Sequence, residues 1–406
     1  MIIKLEKLLI QLICYLLFIN IYGLDPADYL ILIFFFLRLF ALVRLAIQIR
    51  IQPKISIGII TFLGSYVLSA IVGDYNLSFV FNLIINMMLF VIITSYASSL
   101  VKIQKVIFSL SLGFSVAALV AFLQAIDILP IFVGQFEVVR HTRFMGLFGD
   151  PNLLGASAVF FCIYWLNALI SQNKRTISIV MISSTFFLIS FITLIFTQSR
   201  SAWGGFVIAM LTFFIIQMKG VRMQQVLKKM LITFIIVGAS LVSLWGVGAA
   251  DLVESRLRTA SEIDSQDEAE RFGLFYTFIA LRVAGINPFG VGPGNLVNVT
   301  GLSSQDGEPI GAHNAYVQII AENGWLAGLS FMYLVSSILF NSAKNNTYNN
   351  SIYGISAAVL FSSLLSLAFC GIFQDLIQWK VAWLVPALFS ATSINGRYTM
   401  TARVNG

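Results

Sequence analysis

Apolar runs long enough to cross a bilayer recur from one end of this chain to the other, and that recurrence leaves few folds open to it. A hydrocarbon core roughly 30 Å thick requires about 17 to 25 mostly apolar residues per helical crossing. Such runs lie near residues 8 to 23, 28 to 44, 55 to 72, 77 to 96, 106 to 126, 153 to 170, 177 to 196, 202 to 218, 230 to 250, 314 to 340, 352 to 371 and 381 to 394. The expectation is an all-α, polytopic membrane protein of about twelve spans, with residues 1–406 forming one integral membrane domain. Charged residues make up 11% of the chain, where soluble proteins carry roughly 25%. The first run follows Lys4 and Lys7 like a signal peptide, yet no small-x-small site precedes Asp25 and Pro26, so it reads as a retained helix.

Charge placement sets the orientation. Basic residues stay on the cytoplasmic side, and each added span reverses the side of the next loop. With the N-terminus inside, the inward set holds Lys4, Lys7, Arg44, Arg50, Lys54, Lys102, Lys105, Lys174, Arg175, Lys219, Arg222, Lys228, Lys229, Lys344, Arg397 and Arg403. Among the acidic residues only Glu6 falls there. This separation predicts cytoplasmic N- and C-termini, with residues 127–152 and the long stretch 251–313 as extracytoplasmic loops. The net charge of +7 is therefore topological. A nucleic-acid partner would need basic residues gathered on one soluble face, and none is available.

Cys14, Cys162 and Cys370 all fall within spans, and their odd number argues against a disulfide framework. With only His141 and His313, a histidine-rich metal site is not expected, and no metal ligand set is assigned.

Four polar clusters share the outward face. The first, Arg140-His141-Thr142-Arg143, leads into Asp150-Pro151-Asn152, where Asp150 and Pro151 read as the cap and first residue of a helix. Arg143 beside that helix mouth is either an interface anchor or an anion ligand. The second, Ser199-Arg200-Ser201, sits on a tight hairpin at the bilayer surface, where a guanidinium must snorkel or find a partner. The third is Arg271, whose plain reading is an ion pair with Asp267 or Glu268 on one helix face. The fourth is His313-Asn314-Ala315-Tyr316, with Glu322 about two turns deeper. An exposed histidine exchanges protons near neutral pH, although many merely decorate helix starts. Several arginines with little else suggest a strongly anionic ligand, because planar guanidinium donors fit phosphate oxygens. A diphosphate at the membrane surface would suit them. Arg38, in a span, has no reading beyond snorkelling inward.

The chain resembles the O-antigen ligase and O-antigen polymerase superfamily of membrane glycosyltransferases. The resemblance rests on Arg143-Phe-Met-Gly146 with Asp150-Pro151-Asn152, on Ser199-Arg200-Ser201-Ala202, on Gly290-Val-Gly292-Pro-Gly294-Asn295, and on His313-Asn314-Ala-Tyr316 with Glu322-Asn-Gly324, covering about residues 140 to 330. It implies a GT-C-like helical fold and a metal-independent, inverting transfer without a cofactor. The donor would be a polyprenyl-diphosphate-linked glycan, and the acceptor a growing glycan chain or lipid A core. The setting would be a bacterial inner membrane, with the active site facing the periplasm or cell exterior. By position, Arg200 and Arg271 match the family's diphosphate-binding arginines and His313 its histidine near the acceptor. Arg143 is added to the donor set on its location alone. Glu322, Asp150 and Asp375 are less favoured bases. A transporter or flippase of lipid-linked glycans is the alternative, but intramembrane ionisable groups are the mark of that class, and here the acidic residues avoid span centres.

Overall fold

The computed structural model describes residues 2–19, 25–45, 52–97, 99–126, 128–129, 143–148, 150–171, 176–218, 223–245, 254, 274–301, 311–344 and 356–391. Every regular element among them is helical: α1 (Ile2–Leu16), α2 (Pro26–Leu45), α3 (Pro53–Val72), α4 (Leu77–Tyr96), α5 (Leu100–Ala125), α6 (Pro151–Ser171), α7 (Ile177–Phe196), α8 (Arg200–Met218), α9 (Met223–Trp245), α10 (Leu274–Ile286), α11 (Leu296–Thr300), α12 (Ala315–Lys344), α13 (Ala357–Cys370) and α14 (Lys380–Ala391). Seven of these, α3 to α8 and α12, are long and apolar enough to span a membrane.

Local chemistry explains where the helices begin. Pro stands first in α2, α3 and α6, where its missing N–H costs nothing. Asp150 caps α6 as expected, its Oδ1 accepting from Asn152 N at 2.7 Å. Asn76, Ser99 and Ser356 cap α4, α5 and α13 in the same manner. Several helices start earlier than their apolar runs: α5 takes in Lys102 and Lys105, and α9 takes in Lys228 and Lys229. Hydropathy marks the length in contact with hydrocarbon, whereas backbone hydrogen bonding carries the helix on into the interface. Helix α10 lies within the stretch expected as a long loop, and its 13 residues rise about 20 Å, short of the bilayer core.

The spanning window of α6 is 94% buried, against 33% for those of α3 and α8, so α6 is the central post of the bundle. It is apolar on all sides, as a fully enclosed helix must be, and its small residues let neighbours come close. A Cβ on Gly155 would lie 2.8 Å from Thr197 Oγ1 and 3.0 Å from Ala202 Cβ. The most extensive packing joins α3 to α12, α6 to α7 and α8 to α13. Ile60, Ile71, Phe234 and Phe340 remain exposed on outward helix faces, an arrangement that suits lipid as the surrounding solvent.

Arg38 departs from the sequence reading. Its Nη1 pairs with Glu6 Oε1 at 2.7 Å, and its Nη2 donates to Ser95 O at 3.2 Å, both side chains being nearly buried. The guanidinium bridges α1, α2 and the end of α4 rather than reaching for water. Such a pair, 32 residues apart, leaves no local trace in sequence.

Candidate functional site

The starts of α2, α6, α8, α12 and α14 meet at one end of the bundle. Lys380, at the head of α14, binds Asp25, which immediately precedes α2. Gln374 Nε2 donates to Ser201 Oγ in the first turn of α8, while the backbone N–H of Ala315, opening α12, donates to Gly371 O at 2.8 Å and Gln374 O at 3.1 Å. Helix starts carry partial positive charge, and here the chain's own side chains meet part of it: Asp25 Oδ1 accepts from Ala27 N, Asp150 Oδ1 from Asn152 N and Ser199 Oγ from Ala202 N.

The arginine hairpin is built from very few residues. Helix α7 ends at Phe196, Gln198 takes a left-handed turn at φ 52°, and Arg200 already opens α8. Trp203 folds back and donates through Nε1 to Leu194 O at 3.0 Å, covering a carbonyl at the end of α7. Arg143 reaches the same hairpin: its Nε donates to Thr197 O at 2.8 Å and its Nη2 to Asn152 Oδ1 at 3.0 Å. Arg143 therefore ties its own loop to the end of α7 and the start of α6. Burial pushes the Asp150 carboxyl above its ordinary value, with Asn152 and Arg143 opposing the shift.

His313 stands just ahead of α12 with φ 48°. Asn314 caps that helix through Oδ1, accepting from Tyr316 N and Val317 N at 3.1 Å each. The His313 ring packs against Tyr276 of α10 with centroids 5.6 Å apart, and Thr277 Oγ1 donates to the adjoining Ala312 O at 2.8 Å. An edge of the imidazole is exposed, while the protein around it disfavours the charged form and lowers its pKa below 6.5. The bonds through Gly371, Gln374 and Ser201 link this histidine loop to the Arg200 hairpin. Three of the four singled-out residues, Arg143, Arg200 and His313, thus share one connected end of the molecule. Arg271 lies outside the described residues.

The glycine motif is explained by close backbone approach. Gly290, Gly292 and Gly294 adopt φ of 85°, 103° and 69°. A Cβ on Gly290 would strike Glu322 O, one on Gly292 would strike Asp74 O, and one on Gly294 would stand 2.6 Å from the Phe79 ring. The loop threads between the α3–α4 turn and a break in α12, where Gly324 leaves helical geometry at φ 84°. Val291 N donates to Ala321 O at 3.0 Å, Gly292 N to Glu322 O at 2.9 Å, and Asn76 N to Pro293 O at 2.8 Å. The Glu322 carboxylate accepts from Gly294 N at 3.0 Å and Gln318 Nε2 at 3.1 Å. Its oxygens are thus committed to holding the loop. Glu322→Ala strands these buried donors, at about 1 to 3 kcal/mol. A thermal melt of the detergent-solubilised variant is expected to fall by several degrees, with Glu322→Gln intermediate because one acceptor oxygen remains.

Below the junction of Ala315, Tyr316 and Gly371 lies a narrow, almost wholly apolar crevice of about 60 Å³, which follows α12 past Leu334 to Ile338 and is walled by Leu364 and Trp383. The Gly371–Gln374 turn that joins the histidine and arginine elements went unnoticed in sequence, for its partners Ala315 and Ser201 are 56 or more positions away. Asp375 follows it, its carboxyl pushed up to about 6 by burial. Among the described residues no group of three or more His, Cys, Asp and Glu is placed to hold a metal ion.

The fold is that of a helical protein with seven described helices long and apolar enough to cross a membrane, and one end of it gathers Arg143, Arg200 and His313 above an apolar crevice. Residues 185–332 match the family model described as O-antigen ligase. The matched stretch holds Arg200, Arg271, the glycine loop, His313 and Glu322, whereas Arg143 and Asp375 fall outside it. No curated protein matches the chain.

Proposed function

We propose that the protein is a glycosyltransferase of surface-polysaccharide assembly, which transfers a glycan from a polyprenyl diphosphate to an acceptor sugar hydroxyl, and that Arg200, Arg271, Arg143 and His313 carry the reaction. The observation that bears most weight is the hydrogen-bonded junction of the Arg200 and His313 elements at converging helix starts, directly over the apolar crevice. A diphosphate would lie against the helix starts and guanidinium groups, and the first isoprene units in the crevice.

In this reading the acceptor oxygen attacks the anomeric carbon from the face opposite the diphosphate and inverts it. The acceptor proton passes to His313, and the bond from the anomeric carbon to the phosphate oxygen breaks. The electron pair leaves with the lipid diphosphate. Its growing negative charge is met by cations already in place, the kind of stabilisation for which one lost donor costs about 2.7 to 4 kcal/mol. The active site faces the extracytoplasmic side of a bacterial inner membrane, because positive residues gather at the opposite ends of the spans.

A base must be neutral to accept a proton, and the pKa of His313 lies below its ordinary 6.5. The transfer rate kcat/KM is expected to fall as pH drops below that lowered value and to be flat through neutrality. His313→Ala should lower kcat about 100-fold or more while donor binding persists. Loss of donor binding instead would assign His313 to the donor side. The deciding experiment incubates purified protein with lipid-linked glycan repeats, with and without lipid A core. A ladder of longer glycans identifies a polymerase, and a glycan-core conjugate identifies a ligase. Movement of the lipid-linked glycan across vesicles without either product would overturn the transferase reading.

A further inference from the structure

A second cavity lies at the same end of the bundle, across the 371–380 segment from the apolar crevice, and its chemistry is the opposite. It holds about 270 Å³ and is lined mainly by polar atoms, with Asp25, Asp28, Asn82, Gln378 and Lys380 around it and Trp379 and Phe148 as aromatic walls. The volume is close to the lower bound of ligand pockets, about 300 Å³, and far exceeds the needs of a single water. Its wall is fixed by charge. Lys380 binds Asp25 and lies 3.0 Å from Asp28 Oδ1, and Trp379 meets Phe148 edge to face with centroids 6.4 Å apart. Burial of Asp25 pushes its carboxyl up to about 6.

Two neighbouring elements connect this cavity to the proposed reaction centre. The loop that begins with Arg143 ends in the cavity wall at Leu147 and Phe148. The turn whose Gln374 binds Ser201 continues into Gln378, Trp379 and Lys380. Two carboxylates against one ammonium make the cavity a poor place for phosphate, which the cationic side serves better. Carboxylates, amides and an indole face within one space of this size instead match a ring bearing several hydroxyl groups. The Gln378 amide is buried in this wall beside the Tyr66 hydroxyl.

We propose that this cavity is a saccharide subsite, which seats one uncharged or amine-bearing sugar ring of the glycans beside the reaction centre. The assignment rests on the transferase reading above and extends it by separating three places along the 371–380 segment: apolar for the lipid, cationic for the diphosphate, and polar for the sugar. The sugar belongs to the donor or to the acceptor, and kinetics distinguish them.

The test uses full-length protein in detergent with two changes that spare the Asp25–Lys380 pair. Asn82→Phe fills the space, and Gln378→Ala removes an amide. Initial transfer rates are measured against donor and against acceptor concentration, using lipid-linked repeats from the source cell and the acceptor that wild-type protein accepts. In parallel, saturation-transfer NMR follows the free oligosaccharide released from those repeats by mild acid. The expected result is a roughly tenfold rise in KM for one substrate, the size of one lost hydrogen bond or contact, with kcat little changed and the NMR signal weakened. A rise confined to the donor or to the acceptor names the source of the ring. Unchanged KM values and an unchanged NMR signal, in variants whose thermal melts match wild type, overturn the subsite. Wild-type protein that transfers nothing yet binds the oligosaccharide in a Gln378-dependent way overturns the transferase reading alone.

Discussion

Arg200→Ala is expected to lower glycan transfer by roughly 100- to 1,000-fold while leaving the protein folded, which corresponds to about 2.7 to 4 kcal/mol of lost charge stabilisation. The size follows from position. Arg200 is the first residue of α8, so its charge and the N-terminal end of that helix would bear on the same anion in the proposed reaction, and Gln198 takes the left-handed turn just before it. The hairpin itself is held by other groups, namely the Trp203 indole on Leu194 O and Arg143 on Thr197 O. Removal of the guanidinium should therefore cost rate far more than fold. Arg200→Lys should recover only part of the activity, because an ammonium supplies the charge without the planar fork that pairs with phosphate oxygens. Product formation by purified variants, alongside their thermal melts, checks both statements. Wild-type product from Arg200→Ala would remove the residue from the donor site.

Gly292→Ala is expected to abolish the folded protein or to cost several kcal/mol of stability. At φ 103° an alanine is strained, and its Cβ would overlap the carbonyl oxygen of Asp74. Backbone strain of that kind costs about 1 to 3 kcal/mol. The overlap adds to it, since the loop can retreat only by giving up the Gly292 N to Glu322 O and Asn76 N to Pro293 O bonds, each worth about 1 kcal/mol. Gly301 is the internal control: its φ is 64°, but nothing stands within 4 Å of an added Cβ, so Gly301→Ala should cost only about 1 to 2 kcal/mol. Fluorescence-detected size-exclusion chromatography across a temperature series reads both. Equal melting temperatures for the two variants would show that close approach to Asp74 does not govern the loop.

The glycine and arginine motifs illustrate two kinds of sequence signal. Gly290, Gly292 and Gly294 carried part of the family resemblance, but did not reveal that they hold the α3–α4 turn against the opening in α12, for Asp74 lies 218 positions from Gly292. Arg200 was legible as a surface cation because only a few residues separate two apolar runs. Its link to His313 was not, since it passes through Gln374, a residue in no motif, which reaches Ser201 across 173 positions. Glu322 was a less favoured candidate base, and the tertiary structure shows its carboxylate bonded to Gly294 and Gln318.

By itself the sequence determined the all-helical character with several membrane-capable helices and the start of α6 at Asp150-Pro151, and it set an expected orientation. These follow from local forces: the length of apolar chain that matches a bilayer, the fixed geometry of proline, and the cost of moving positive charge outward. Only the tertiary structure decided that α6 is the buried post, that Arg38 pairs with Glu6, that five helix starts gather at one end of the bundle, and that the 371–380 segment separates an apolar crevice from a polar cavity. Each of these is a contact between residues far apart in the chain, set by which helix faces pack together, and in a bundle surrounded by lipid nearly every face is equally apolar.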